Sequence, residues 1–411
     1  MKIMLMKKKT HVNRRGFLRT TLLGAAGSVA ATGLVRGNAV LLKKEDLDDK
    51  QGFITRKLGK TNIVVPIVSM GVMRADNPGL VKAALDKGIK LLDTAHTYQG
   101  GRNEEMLGKL LKDYPRNSYY IATKIKPDGY NKKKGTFTDA SKVKTSYMDK
   151  FNTSLKRLGL EYVDILYLHA ISNREATLYK PILEIMQKLK EEGRTRYLGV
   201  STHSHEPEVI RAAIDSGIYD VVLVAYNFQQ SHREDMDKAI EKAVKAGLGV
   251  IAMKTMAGGR MNKDKEYPVK AGTALKWALQ NPNVTTSIPG FTTFDQLEED
   301  LAVARDVTLS EEEKKELALA TRETLYCDGC ARCVTQCKKS LPIPDLMRAY
   351  MYTYGYRETR KARDLIDELA VTTDACATCD ECTVACVKNF AVAGKITDIA
   401  RLAEVPQEFL T

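Results

Sequence analysis

The first 326 residues of this 411-residue chain contain no cysteine, and the whole chain has a single tryptophan, Trp277. So long a cysteine-free stretch argues against a disulfide framework and leaves stability to a hydrophobic core, which a chain of this length can bury. Charge of one sign is also scarce once the N-terminus is set aside. The net charge is +13, but residues 1–50 hold eleven Lys/Arg against four Asp/Glu, more than half of that excess. What remains does not argue for nucleic acid as a partner. Lys132-Lys133-Lys134 reads as a solvated loop. Long apolar runs are missing too, so a stable membrane span of about 20 mostly apolar residues is not expected in the mature chain. No Gly-x-Gly-x-x-Gly follows the first expected strand, which weighs against an open dinucleotide-binding sheet.

The basic N-terminus has a pattern of its own. Asn13-Arg14-Arg15-Gly16-Phe17-Leu18-Arg19 precedes a mild apolar run, Thr20 to Val35, rich in Gly, Ala and Thr. A basic region before such a run reads as a secretory signal, with a disordered basic tail as the alternative. The paired arginines resemble the twin-arginine export motif. Small residues at Gly37-Asn38-Ala39 suit cleavage, so residues 1–39 are assigned to the signal. The resemblance implies export of the folded, cofactor-loaded protein to the periplasm or envelope of a bacterium.

From Phe53 onward, short apolar runs alternate with amphipathic helical patterns. Strands are expected at Val64–Gly71, Ile89–Asp93, Tyr119–Lys124, Tyr162–His169, Tyr197–Ser201, Val221–Tyr226, Gly249–Lys254 and Thr286–Ile288, each followed by a helix. Continuously apolar strands are buried on both faces. Eight strand–helix units within residues 53–306 fit a closed (β/α)8 TIM barrel, with an open doubly wound sheet as the alternative. Leu309–Tyr326, opened by Ser310 with Glu313 three residues on, reads as a capped linker helix within residues 307–326.

Chemistry on such a barrel sits at the C-terminal ends of the strands. Asp93 ends strand two with Tyr98 in its loop, Lys124 ends strand three and His169 ends strand four. An Asp at a strand end is ordinarily a turn residue. Three consecutive strands delivering Asp, Lys and His to one end, beside a tyrosine, is a different matter. A nearby cation favours the phenolate and lowers the tyrosine pKa. Asp93 would fix and charge Lys124, and His169 would orient a substrate oxygen. The set suits protonation of a carbonyl oxygen as hydride reaches its carbon.

With these residues in place, the stretch from Phe53 to Arg305 resembles the aldo/keto reductases. The likeness rests on Asp93-Thr94-Ala95 with Tyr98, Ala122-Thr123-Lys124, Tyr167-Leu168-His169, Leu198-Gly199-Val200-Ser201, Tyr226-Asn227 and Ile288-Pro289-Gly290. It implies a nicotinamide-dependent oxidoreductase with Tyr98 as general acid/base and Asp93, Lys124 and His169 as its partners. By the same resemblance the carboxamide contacts fall on Ser201, Thr202 and Leu223. Tyr226 belongs to the same cofactor wall, and Met253 stands where many members stack a tyrosine. The loop that often binds the 2′-phosphate of NADP runs Gly290, Phe291, Thr292 to Gln296 here, without its cations, so the resemblance leaves NADP and NAD both open. Backbone amides from Gly290 to Thr293 and the start of the next helix remain as a phosphate seat. Arg260, in a Gly-rich loop after strand seven, reads as an exposed loop arginine, with a replacement charge for the phosphate as the alternative.

All eight cysteines lie in two identical runs. Cys327-x2-Cys330-x2-Cys333-x3-Cys337 is followed, after 38 residues, by Cys376-x2-Cys379-x2-Cys382-x3-Cys386. The spacing matches the bacterial ferredoxin pattern for two [4Fe–4S] clusters, with zinc as the alternative. In that pattern the fourth cysteine of each run serves the other cluster. The implied sets are Cys327, Cys330, Cys333 with Cys386, and Cys376, Cys379, Cys382 with Cys337. The intervening segment carries Leu346, Ala349, Tyr350, Tyr352, Tyr354, Leu365 and Leu369 in largely helical spacing. Residues 327–411 thus resemble the α-helical ferredoxin of fumarate reductase iron–sulfur subunits. The tyrosines at 350, 352, 354 and 356 read as packing residues.

The expected protein is therefore an exported NAD(P)H-dependent carbonyl or alcohol oxidoreductase with two [4Fe–4S] clusters. Its expected partners are a small carbonyl or alcohol substrate and a redox protein. The alternatives are an exported electron-transfer protein whose barrel binds a nicotinamide without turning it over, and a metal-stabilised binding protein that has lost catalysis.

Overall fold

In the computed structural model, eight parallel strands follow one another around a barrel: β1 (Met70–Gly71), β2 (Leu91–Asp93), β3 (Tyr120–Ile125), β4 (Val163–Leu168), β5 (Thr195–Thr202), β6 (Val221–Ala225), β7 (Gly249–Met253) and β8 (Thr286–Ser287). The structure describes residues 47–48, 51–131, 135–257, 268–321, 326–377, 379 and 381–410. The Arg14–Arg15 signal, its cleavage region, Lys132–Lys134 and Arg260 lie outside the described residues. The ring closes where Val68 bridges Ser287. There Ser69 N donates to Ser287 O at 2.8 Å, and Gly71 N donates to Pro289 O at 3.0 Å.

Helices cover the outside: α1 (Pro78–Asp86), α2 (Arg102–Leu110), α3 (Ala140–Leu158), α4 (Lys180–Glu191), α5 (Glu206–Ser216), α6 (Arg233–Lys245), α7 (Ala271–Leu279) and α8 (Phe294–Val303). The longest, α3, shows the local logic. Asp139 caps its N-terminus by accepting from the amides of Ser141 and Lys142. Gly159, at φ 63°, ends it in the left-handed conformation. Between these signals Val143, Tyr147, Phe151, Leu155 and Leu158 recur at helical spacing and are buried. The strands are apolar on both faces. Leu92, Leu166 and Val250 pack outward against the helices, while Leu91, Ile165, Tyr167, Leu223, Ile251 and Met253 fill the interior.

One expected strand is divided. Val64–Pro66 pairs antiparallel with Phe53–Lys57 as a hairpin outside the parallel barrel sheet. The chain joins the barrel only beyond Pro66, which has no N–H to continue the ladder. Arg56 ties this hairpin to the barrel wall by donating to the carbonyls of Leu279 (3.0 Å) and Asn281 (3.1 Å), at the C-terminal end of α7. A cation is favoured at that end of a helix.

After the barrel, α9 (Glu311–Ala320) carries the expected capping box between Ser310 and Glu313. It docks on α7 through Lys276–Glu313 at 3.0 Å and through Leu317 and Ala320, which join Phe228 and Ala274 in a small apolar cluster. The C-terminal region contains α10 (Ile343–Tyr350), a π-helical turn (Met351–Gly355), α11 (Thr359–Glu368) and α12 (Val392–Ala400). Its own core is Leu346, Ile366, Ile396 and Ile399. The tyrosines form i,i+4 pairs, Tyr350 with Tyr354 and Tyr352 with Tyr356, rather than one continuous stack. The barrel and this region belong to one compact unit, Leu42–Thr411.

Phe151 is fully buried between α3 and the sheet. Phe151→Ala is expected to lower the unfolding free energy by about 3–5 kcal/mol, read as a drop in the urea midpoint at unchanged iron content.

Candidate active site

The site starts with a buried pair. Asp93 ends β2 and Lys124 lies near the end of β3, each only 2% exposed. The strands are adjacent and in register, Asp93 opposite Ala122, which sets the two side chains side by side. The Lys124 ammonium donates to Asp93 Oδ1, to Thr94 O at 2.6 Å and to the Tyr98 hydroxyl at 3.2 Å. Burial opposes charge on both partners, raising Asp93 and lowering Lys124, and each restrains the other's shift.

Tyr98 is held by its loop. Thr94 Oγ1 donates to Asn103 Oδ1 at 2.6 Å, and Asn103 Nδ2 donates to Val72 O at 2.7 Å, so the start of α2 anchors the strand end. Arg157 of α3 lies against Gly101, where a Cβ would meet its guanidinium at 2.2 Å, and donates to His96 O at 2.9 Å. The His169 ring stands edge-on to Tyr98 with centroids 6.2 Å apart. From the sequence, Lys124 is expected to draw the phenol pKa down. The surroundings act the other way: burial first, then Asp93 and Glu358, raise it well above the ordinary value. Tyr98 is thus a neutral phenol that keeps its proton.

A feature absent from the sequence reading covers this face. The segment from α10 to α11 lies over the strand ends. Glu358, just before α11, pairs with Arg74 after β1 at 2.8 Å, and Glu368 at its end pairs with Lys126 after β3. Between these ties, the Lys361 ammonium sits 4.8 Å from the Tyr98 ring centroid and 5.2 Å from that of Tyr352. Lys254, after β7, is 5.8 Å from the same Tyr352 ring. Beside it a cavity of about 50 Å³ is lined by His203, Asn227, Gln229 and Lys254 from the barrel and by Arg348 and Cys327 from the C-terminal region. His203 Nδ1 is buried there without a hydrogen-bond partner. Strand-end position was the available signal for Lys254. Nothing local in the sequence marks Lys361.

The residues expected to hold a cofactor are scattered. Ser201 Oγ accepts from Ala170 N at 2.9 Å, and Thr202 Oγ1 donates to Ser204 O at 2.6 Å, so both hydroxyls brace the strand end. Leu223 and Met253 lie in the barrel interior. Tyr226 does not face the mouth. Its hydroxyl donates to Asp237 at 2.6 Å and its ring packs on Trp277, which commits it to the α6–α7 wall. Phe291 is buried in the core around the sheet, and Gly290 lies close to Gly71. Gln296 Oε1 accepts from Thr292 N at 2.8 Å, so an anion at this turn would compete with Gln296.

The cysteines gather in two neighbouring places. Cys337, Cys376, Cys379 and Cys382 line a cavity of about 200 Å³ with Leu341, Ile343 and Ile396. Cys327 is close to Cys330 and Cys333, and Cys333 is close to both Cys386 and Cys337. Burial pushes the Cys333 thiol up to about 12, so it becomes a thiolate ligand only beside a metal's charge. Among the described residues no three His, Cys, Asp or Glu converge on a single ion. Cysteines spread around a cavity suit a polynuclear cluster better than zinc. Both runs also reach the barrel: Ser231 N donates to Asp328 of the first at 2.8 Å, and Lys388, just past the second, donates to Gln229 O at 2.9 Å.

Burial, with Lys124 and Arg348 adding to it, lowers Lys361 from near 10.5 to about 8, against the pull of Glu358 and Asp364. The folded state then binds fewer protons than the unfolded one between those values, so this group adds stability as pH rises. The stability of the wild type relative to Lys361→Met is expected to climb from pH 8 to 10.5 and to be flat below that window, as measured by denaturant midpoints.

Residues 71–273 match the aldo/keto reductase family, and residues 326–391 match the 4Fe-4S dicluster domain. The chain is 26% identical over 305 residues to the uncharacterized oxidoreductase YqkF of Bacillus subtilis (strain 168), covering 66% of this chain and 97% of that one. It is 28% identical over 292 residues to L-galactose dehydrogenase of Arabidopsis thaliana, covering 61% and 88%. A solved aldo/keto reductase from Klebsiella pneumoniae, in complex with NADP and acetate, shares the barrel with a TM-score of 0.52 and 21% identity, covering 65% and 95%. The chain is an oxidoreductase whose (β/α)8 barrel carries an aldo/keto reductase domain and whose C-terminal region is a 4Fe-4S dicluster domain.

Proposed function

We propose that this protein interconverts a small carbonyl compound and its alcohol, with Tyr98 as general acid/base and two [4Fe–4S] clusters bound by the cysteine sets above. The observation that carries the reading is the chain of contacts from Asp93 through Lys124 to the Tyr98 hydroxyl. A phenol with a raised pKa keeps its proton until an alkoxide, a far stronger base, develops on the substrate. Lys124 then stabilises the phenolate, Asp93 keeps Lys124 charged, and His169 stands close enough to orient the oxygen. Reduced nicotinamide, when bound, supplies the hydride to the carbonyl carbon. Beside the site His203 Nδ1 lacks a partner, but the cavity of about 50 Å³ that it shares with Asn227 and Lys254 is smaller than a nicotinamide ring, so the residues there do not by themselves form a cofactor pocket. The Klebsiella pneumoniae structure contains NADP, and both NADP and NAD remain in this reading.

Contact between the first cysteine run and the barrel favours a second reading, in which electrons pass between the site and a cluster and on to a partner protein. Hydride moves two electrons and each cluster takes one. One experiment addresses both readings. Anaerobically purified protein is given NADPH or NADH with a panel of carbonyls, followed by nicotinamide and cluster absorbance. Tyr98→Phe is expected to lose about 10²-fold or more in turnover while still binding nicotinamide. Turnover at the wild-type rate would refute the acid/base role. Bleaching of the clusters without carbonyl reduction would favour electron transfer.

Export by the twin-arginine route is part of the proposal, supported by Arg14-Arg15 ahead of Phe17-Leu18. Replacing both arginines by lysine is expected to leave the protein in the cytoplasm with its iron content intact. Unchanged appearance in the periplasm would contradict the route.

A further inference from the structure

We propose that Lys361, on the iron–sulfur domain, is a positioning residue of the reductase site that acts through Tyr98. The inference rests on the acid/base reading of Tyr98 given above. Its basis is geometric. Lys361 and Lys124 come from different domains, and each ammonium lies 4.8 Å from the Tyr98 ring centroid. Helix α11 is tied at both ends, by Arg74–Glu358 and Lys126–Glu368, so the ammonium between them is placed rather than free. It also touches Met73 in the loop after β1.

The chemistry follows from charge. When Tyr98 gives its proton to the substrate oxygen, negative charge appears on a phenol in packed surroundings. Lys124 alone is half committed to Asp93. A second ammonium over the ring stabilises the phenolate through space. The charged and titratable groups facing this pair are Asp93, Lys124, His169, Tyr352 and Glu358 around Tyr98, and Glu358, Asp364, Lys124 and Arg348 around Lys361, with Lys254 and His203 nearby. The only two carboxylates among those named for Lys361, Glu358 and Asp364, are its neighbours along α11, and Glu358 already pairs with Arg74. Burial lowers Lys361 to about 8, which leaves it cationic at neutral pH.

The test is the pH dependence of carbonyl reduction by the full-length holoprotein. Wild type, Lys361→Arg and Lys361→Gln are compared, with iron content and nicotinamide binding measured on each. In the wild type, kcat/KM should fall as pH rises through about 8. Lys361→Arg, which keeps its charge, should hold the neutral-pH rate through that range. Lys361→Gln should start about tenfold lower and show no such limb. If Lys361→Gln fails to retain iron, the comparison of wild type with Lys361→Arg still decides. A limb that persists in Lys361→Arg, or a Lys361→Gln protein that matches wild type, overturns the inference. Should Tyr98→Phe retain full turnover, the underlying reading fails instead. If Tyr98→Phe is inactive but the limb ignores residue 361, only the role of Lys361 fails.

Discussion

The buried contact between Asp93 and Lys124 is the constraint on which the site depends. Two opposite charges, each 2% exposed, are held together by adjacent strands of the barrel. A pair in this position is costly to desolvate and contributes little net stability, but removing one partner leaves an uncompensated charge at a cost of about 3–5 kcal/mol. Its value is geometric. It fixes an ammonium 3.2 Å from the Tyr98 hydroxyl, in surroundings that keep the phenol neutral. Everything nearby serves that placement. Asn103 anchors the strand end, Arg157 packs the loop, and Glu104 accepts from Thr123 at 2.7 Å behind the pair.

The iron–sulfur domain meets the barrel on the same face as Tyr98. Its α10–α11 segment lies over the strand ends where a barrel places its chemistry, and its first cysteine run contacts the loops after β5 and β6. The helical segments that carry Arg348, Tyr352 and Lys361 wall the mouth. Metal binding and folding are linked in small metal-binding domains.

Much of this was legible in the sequence. The barrel could be read because its strands are apolar on both faces and its helices are punctuated by Gly159, Gly193 and Gly217. Asp93, Tyr98, Lys124 and His169 could be read because strand ends are fixed by those patterns. The dicluster domain could be read because cluster ligands need short fixed spacing, and Cys337 shares a cavity with Cys376, Cys379 and Cys382. What stayed hidden was tertiary. Tyr226 looked like part of the cofactor wall, but the polar partners Asp237 and Asn281 turn it outward. The rise in the Tyr98 pKa depends on how tightly the mouth is packed, which no local pattern encodes. Lys361 lies on a helix whose own periodicity says only that one face is buried. That the face meets Tyr98 follows from how two domains dock, and two ion pairs distant in sequence set that docking.

The central claim is that the iron–sulfur domain completes the reductase site rather than accompanying it. The most direct measurement is stepwise anaerobic removal of iron by a chelator, with carbonyl reduction and far-ultraviolet circular dichroism followed at each step. The account predicts that turnover falls in proportion to iron while most of the barrel's helical signal remains. Full turnover in protein stripped of iron would contradict it.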